Sequence, residues 1–332
     1  MMQHPAILAL LVSSLTISVM MLYASWYGTR ILEKWDLNSG SELQLVLERR
    51  TYLISTIVSH ALVFQILSLF LFIYTADKLH PLFTGAMCAA GTLNVNSEGY
   101  LTLIMKIINC ILAGVWLIIN YADTRGYDYP LIIVKYILLT ILAALVLLET
   151  ISQLEFFSQL RGDVITSCCG RLFSVEKPGF TGDIAGLPPG FMEPAFFASM
   201  ALTIVCGLMV CLKGKGGYLF SAVSSLTFII AAASLVSFIC LYIYELPSHH
   251  CPFCILQKEY GHIGYVLYAT LLGGGVAGMG TGVLMPFRNR GSMARIIPSL
   301  QRRLTAVTLV LYLLFTLIVT YRMIFSPFRL GG

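Results

Sequence analysis

Charge is scarce in this chain. Only 11% of its 332 residues are Asp, Glu, Lys or Arg, against roughly a quarter in an ordinary soluble domain. It also lacks a polar stretch long enough to fold as a soluble domain. The longest, Ser158 to Glu193, has the size of a structured loop. There is no glycine-rich nucleotide-binding loop and no soluble catalytic domain, which argues against a nucleotide-driven machine or an anchored water-exposed enzyme. The first apolar segment has no charged n-region and no clear small-residue cleavage site, so it reads as a retained helix rather than a signal peptide.

What fills the chain instead is apolar. Hydrophobic residues make up 58% of it, in repeated runs of the length that crosses a membrane as helix. We count eight spans: Pro5–Tyr27, Thr51–Ala76, Tyr100–Tyr121, Pro130–Phe157, Pro194–Leu212, Tyr218–Tyr244, Gly261–Met285 and Leu304–Tyr321. The expected fold is an all-α polytopic membrane protein, and the even count puts both termini on one side.

The net charge of +5 is no nucleic-acid signal, because the basic residues gather in short loops. One set of loops and span ends holds 13 Lys and Arg residues, including Arg288, Arg290, Arg295, Arg302 and Arg303 before the last span; the other holds 8. The positive-inside rule makes the first face cytoplasmic. The termini then belong on the outer face, and the expected setting is a bacterial inner membrane, with the lipid bilayer as the main surroundings.

The nine cysteines follow that division. Cys88, Cys168, Cys169, Cys251 and Cys254 fall in loops of the outer face, Cys110, Cys206, Cys211 and Cys240 fall inside spans, and no cytoplasmic loop contains one. The outer face is where disulfides form and persist. Cys88 and Cys251 each begin a short motif followed by an acidic residue and a Gly/Tyr pair, Glu98-Gly99-Tyr100 and Glu259-Tyr260-Gly261. This suggests two four-helix halves, 1–157 and 194–332, joined by an outer linker, 158–193, that carries Cys168-Cys169.

Cys251-Pro252-Phe253-Cys254 is the sharpest motif. Such a pair closes into a small disulfide ring or chelates a metal through two thiolates. Proline after the first cysteine suits the opening turn of a helix, where the dipole stabilises a thiolate. His249 and His250 stand just before the pair and can add positive charge or take a proton. The pattern predicts a redox-active dithiol, with Cys251 attacking and Cys254 resolving. The plainer alternative is a static disulfide that pins the loop.

Set at the outer end of a span, this pair resembles the site of the membrane thiol oxidoreductases, namely the disulfide-bond-forming quinone reductase of bacteria and the vitamin K epoxide reductase family. In those proteins a membrane-edge C-x-x-C passes electrons to a quinone, and a second cysteine pair in another outer loop exchanges with a partner. The resemblance implies that Cys251 and Cys254 match the membrane-edge pair. Cys168 with Cys169, or Cys88 with one of them, would supply the second pair. It also implies a quinone and a membrane or periplasmic protein partner. The likeness rests on the cysteines: this chain has eight spans rather than four or five, and its second pair is vicinal rather than spaced.

The same residues support a metal reading. His80, Cys88, His249, His250, Cys251, Cys254 and His262, with Cys168 and Cys169, are soft or borderline ligands on one face, suited to copper(I), mercury or zinc. A vicinal pair such as Cys168-Cys169 can also grip a soft cation, or close into a strained and therefore labile disulfide. His60 lies alone within the second span, more consistent with packing than with haem ligation.

Two ionisable residues sit inside spans, Glu149 and Lys106. Such residues mark function by default. Glu149 is a candidate proton relay or pairing partner, and Lys106 is expected to snorkel to the interface. Gly274, Gly278 and Gly282 recur every four residues, a close-packing face for another helix. The leading expectation is a thiol redox protein at the outer face; a soft-metal transporter or chaperone, and a structural subunit of a larger complex, stand beside it.

Overall fold

The structure, a computed structural model, describes residues 4–35, 41–166, 173 and 180–329. The chain is an all-α polytopic membrane protein with eight membrane-spanning helices, and the described residues contain no strand. Lipid offers no hydrogen bonds, so an apolar run can cross it only with its backbone paired internally, as helix. The spanning helices are α1 (Pro5–Lys34), α2 (Glu42–Leu79), α4 (Ser97–Asp123), α5 (Ile132–Ser158), α7 (Pro189–Lys213), α8 (Gly217–Tyr244), α9 (Ile263–Val283) and α10 (Met293–Phe325). Short helices α3 (Ala89–Leu93) and α6 (Phe180–Ala185) lie between them.

Several helices outrun their apolar stretches. α2 begins at Glu42, ahead of Arg49 and Arg50, and α10 begins at Met293, ahead of Arg302 and Arg303. Charge ends the membrane-soluble run but not the helix, since Glu and Arg are good helix formers. α7 starts at Pro189 and carries Pro194 inside it. Its end is set by Gly214, which takes a left-handed conformation (φ 64°) and returns its N–H to the Val210 carbonyl, a helix stop that glycine adopts without steric penalty. α8 is interrupted by a π turn at Leu235–Ile239 before it resumes at Cys240.

The chain divides into two compact units. The first comprises Met1–Thr75, Asn96–Arg161 and Pro286–Leu300; the second comprises Ala76–Val95, Gly162–Met285 and Gln301–Gly332. Division follows packing rather than chain order: the stretch bearing Cys88 belongs with Cys251 and Cys254.

In the first unit α1, α2, α4 and α5 pack around Met21, Tyr27, Leu62, Trp116, Tyr136, Leu142 and Val146. Because lipid is as apolar as leucine, close packing and polar contacts hold such bundles together. In the second unit the glycine stripe of α9 serves this purpose. A Cβ on Gly278 would lie 2.0 Å from Ser224 Oγ, and one on Gly274 would lie 2.4 Å from the Tyr312 ring. Thr203 and Thr227 hydroxyls, 2.8 Å apart and fully buried, join α7 to α8.

Candidate functional site

The site is assembled within the second unit from two segments. The first is 76–95. Cys88 heads α3 in an extended conformation, and its carbonyl accepts the Gly91 N–H at 3.0 Å. The fold-back is tight enough that a Cβ on Gly91 would lie 2.6 Å from Ala86 Cβ. Thr166 fastens this segment: its N–H bonds the Thr84 carbonyl at 3.0 Å and its hydroxyl the Gly91 carbonyl at 2.9 Å.

The second segment is 247–262. Cys251-Pro252-Phe253 forms a turn, and Cys254–Leu256 is a single 3₁₀ turn. The expected α-helical N-terminus at the cysteines is therefore absent. Gly261 (φ 65°) and His262 (φ 56°) turn the backbone left-handed, so α9 starts only at Ile263. Gly264 meets Ile255 so closely that a Cβ would stand 3.0 Å from the Ile255 backbone. Gln257 ties the two segments together, donating to the Met87 carbonyl at 2.9 Å and to Asp77 Oδ1 at 3.2 Å.

These constraints bring three thiols together. Cys88 Sγ lies 3.6 Å from Cys251 Sγ, and the Sγ atoms of Cys88, Cys251 and Cys254 all lie within 4.8 Å of one another. All three are buried, Cys254 being 5% exposed and the others 0%. The backbone under them is held from α8 and α9: Tyr244 Oη donates to the Cys251 carbonyl at 2.5 Å, Cys240 Sγ to the same carbonyl at 3.5 Å, and Tyr268 Oη to the Pro252 carbonyl at 2.5 Å. Residue types alone do not mark these three as supports of the loop; Cys240 and Tyr244 sit one turn apart on α8, and interfacial tyrosines are common.

The histidines do not join the group of ligand atoms. Hydrogen bonds to backbone carbonyls hold their rings: His250 Nδ1 to Val236 within the π turn at 2.9 Å, His262 Nδ1 to Leu256 at 2.6 Å, and His80 Nδ1 to Asp77. His249 stacks edge-on against Tyr244, ring centroids 4.6 Å apart. Of the metal set read from the sequence, Cys88, Cys251 and Cys254 come together, whereas His80, His249, His250 and His262 do not. Cys168 and Cys169 lie outside the described residues.

Glu149 belongs to the first unit. Its Oε1 receives Lys106 Nζ at 2.6 Å, and its Oε2 receives Gln65 Nε2 and Asn109 Nδ2, each at 2.5 Å. Lys106 also donates to Ser68 Oγ at 2.9 Å. Lys106 is 1% exposed, so the expectation that it snorkels is overturned: a carboxylate across the helix interface offers a nearer partner than the membrane surface. A second buried pair, Lys135 with Asp123 at 2.6 Å, was not anticipated; Asp123 Oδ1 also accepts the Leu131 N–H at the start of α5. His60 is exposed and bonded to its own helix at Thr56.

The spacing of the three sulfurs permits two kinds of chemistry. A disulfide needs about 2.0 Å between sulfurs, so Cys88 and Cys251 must close by only about 1.5 Å to bond. Three thiolates about 2.3 Å from one metal ion stand about 4 Å apart, which the triad also matches. The chain matches no protein-family model, no curated protein and no solved structure.

Proposed function

We propose that the second unit is a thiol–disulfide exchange centre that carries electrons between its cysteines and an external acceptor. The single observation that carries this reading is the contact of Cys88 Sγ with Cys251 Sγ at 3.6 Å inside a three-sulfur group. Oxidation of Cys251 and Cys254 forms their S–S bond and delivers two electrons and two protons to the acceptor, a quinone or a partner disulfide. The Cys88 thiolate then attacks Cys251 Sγ. The Cys88–Cys251 bond forms, the Cys251–Cys254 bond breaks, and Cys254 leaves as thiolate. Tyr244, Tyr268 and Gln257 act as positioning residues that hold the two segments at exchange distance. The distribution of Lys and Arg supports placing the centre and both termini at the outer face of the membrane, and the setting proposed is a bacterial inner membrane. Cys168 and Cys169 remain the candidates for the pair that meets a periplasmic or membrane partner.

Trapping tests the reading. Cys254→Ser removes the resolving thiol and should accumulate a reducible mixed disulfide at Cys251. A variant that traps nothing, with Cys251 fully alkylated under oxidising conditions, contradicts it.

The mutual spacing of the three sulfurs favours one second reading, a three-thiolate site for a soft ion such as copper(I), zinc or mercury in a transporter or chaperone. Stoichiometric metal that survives purification and disappears in Cys88→Ser supports it over exchange.

A further inference from the structure

We propose that the Glu149 centre of the first unit is a proton-binding site, reached from the Glu98 end of the bundle through the hydroxyls of Ser152 and Thr102. This inference is independent of the thiol reading, which concerns the second unit.

Two buried ion pairs in one unit allow a comparison. At Asp123–Lys135 both carboxylate oxygens serve structure, one taking the lysine and the other capping the first turn of α5. Glu149 caps nothing. It is surrounded by side chains that can donate or accept: Gln65 and Asn109 amides, Ser68, and Lys106. Gln65 is 2% and Asn109 1% exposed, and their second polar atoms, Gln65 Oε1 and Asn109 Oδ1, have no hydrogen-bond partner among the described residues. Leaving two buried acceptors idle is unfavourable, and a permanently ionised carboxylate gives them no use.

A carboxyl that takes up a proton gives one of them a use. An amide presents two N–H donors on one side and an oxygen on the other. With Glu149 ionised, Gln65 and Asn109 donate to Oε2, as observed. With Glu149 protonated, rotation of either amide turns its oxygen toward the new O–H, and the idle acceptor is satisfied. Lys106 keeps its bond to Ser68 throughout. The same four side chains therefore serve both protonation states, and the centre alternates between a net-neutral ion pair and a state carrying one extra proton.

Access is laid out on α4 and α5. Glu98, half-buried in the first turn of α4, accepts the Ser152 hydroxyl at 3.3 Å; Ser152 and Thr102 hydroxyls lie 2.8 Å apart. Thr102 and Lys106 are one turn apart on α4, and Ser152 and Glu149 one turn apart on α5. The titratable groups facing Glu149 are Lys106 and Cys110 from α4, with Glu98 at the end of the chain. From α2 the neutral Gln65 and Ser68 face it, and α1 meets α5 through Ser14 and Ser18.

The test is an acid-minus-alkaline infrared difference spectrum of the full-length protein in lipid. A reversible band of a protonated carboxyl should appear on acidification and be lost in Glu149→Gln, and Thr102→Val with Ser152→Ala should slow its rise after an acid jump. Identical spectra in the wild type and Glu149→Gln would overturn the proposal. If Glu149→Gln does not fold, Gln65→Leu and Asn109→Leu each remove one acceptor of the carboxylic O–H, and at least one of them should shift the band; a band unshifted in both would overturn it equally.

Discussion

The sulfurs of Cys88 and Cys251 are 3.6 Å apart although 163 positions separate them in the chain. Gln257, on the same loop as Cys251, reaches back to the Met87 carbonyl beside Cys88, so the pair is held by a cross-link of neutral polar groups as well as by packing. Because bond formation between these sulfurs requires an approach of only about 1.5 Å, the arrangement of these two segments is what makes the proposed chemistry geometrically accessible.

The tyrosine supports should be measurable. Tyr244→Phe leaves the buried Cys251 carbonyl, and Tyr268→Phe the partly buried Pro252 carbonyl, short of a donor; the first should destabilise by about 1–3 kcal/mol and the second by less. The double variant should also slow formation of the Cys88–Cys251 cross-link. Unchanged thermal unfolding together with an unchanged cross-linking rate would contradict their positioning role.

Lys106 and Glu149 should show strong coupling. Lys106→Met strands a buried carboxylate and should cost about 3–5 kcal/mol. Adding Glu149→Gln removes the stranded charge, so the double variant should be more stable than Lys106→Met alone. A double-mutant cycle of unfolding in detergent checks this; additive losses would show that the pair does not interact.

Asp128, in the loop between α4 and α5, gives a pH dependence with a definite sign. Partial desolvation pushes its carboxyl up, but hydrogen bonds from the Ser292 hydroxyl and backbone N–H outweigh that and hold it below the usual range. The folded value then lies under the unfolded one, about 3.9. The contact stabilises above that pH, and the stabilisation is lost as pH falls through the depressed folded value. Asp128 is partly exposed, so the effect should stay under about 1 kcal/mol. Ser292→Ala should flatten the acid limb of the unfolding midpoint against pH.

The eight spans were legible in the sequence because long apolar runs must be helical in lipid, and the C-x-x-C pair was legible as a motif because its two cysteines are only three positions apart. Cys88 was legible as a candidate but not as the neighbour of Cys251, since that contact depends on how 76–95 folds against 247–262. The histidines were candidates by residue type alone; where their rings lie depends on the fold, which sets His80, His250 and His262 against the carbonyls of Asp77, Val236 and Leu256 and outside the three-sulfur group. Proline in Cys251-Pro252-Phe253-Cys254 suggested a helix start, and the left-handed residues Gly261 and His262, nearly ten positions on, decided otherwise. Lys106 was read by its depth in the span, whereas its fate was set by Glu149 on the facing helix.

The most direct test of the exchange centre is disulfide mapping by mass spectrometry on Cys254→Ser protein brought from reducing to oxidising conditions in lipid. The geometry predicts a Cys88–Cys251 cross-link that forms reversibly and without added metal. Cys88 that stays fully alkylatable at every potential, while Cys251 oxidises elsewhere or not at all, would contradict the account.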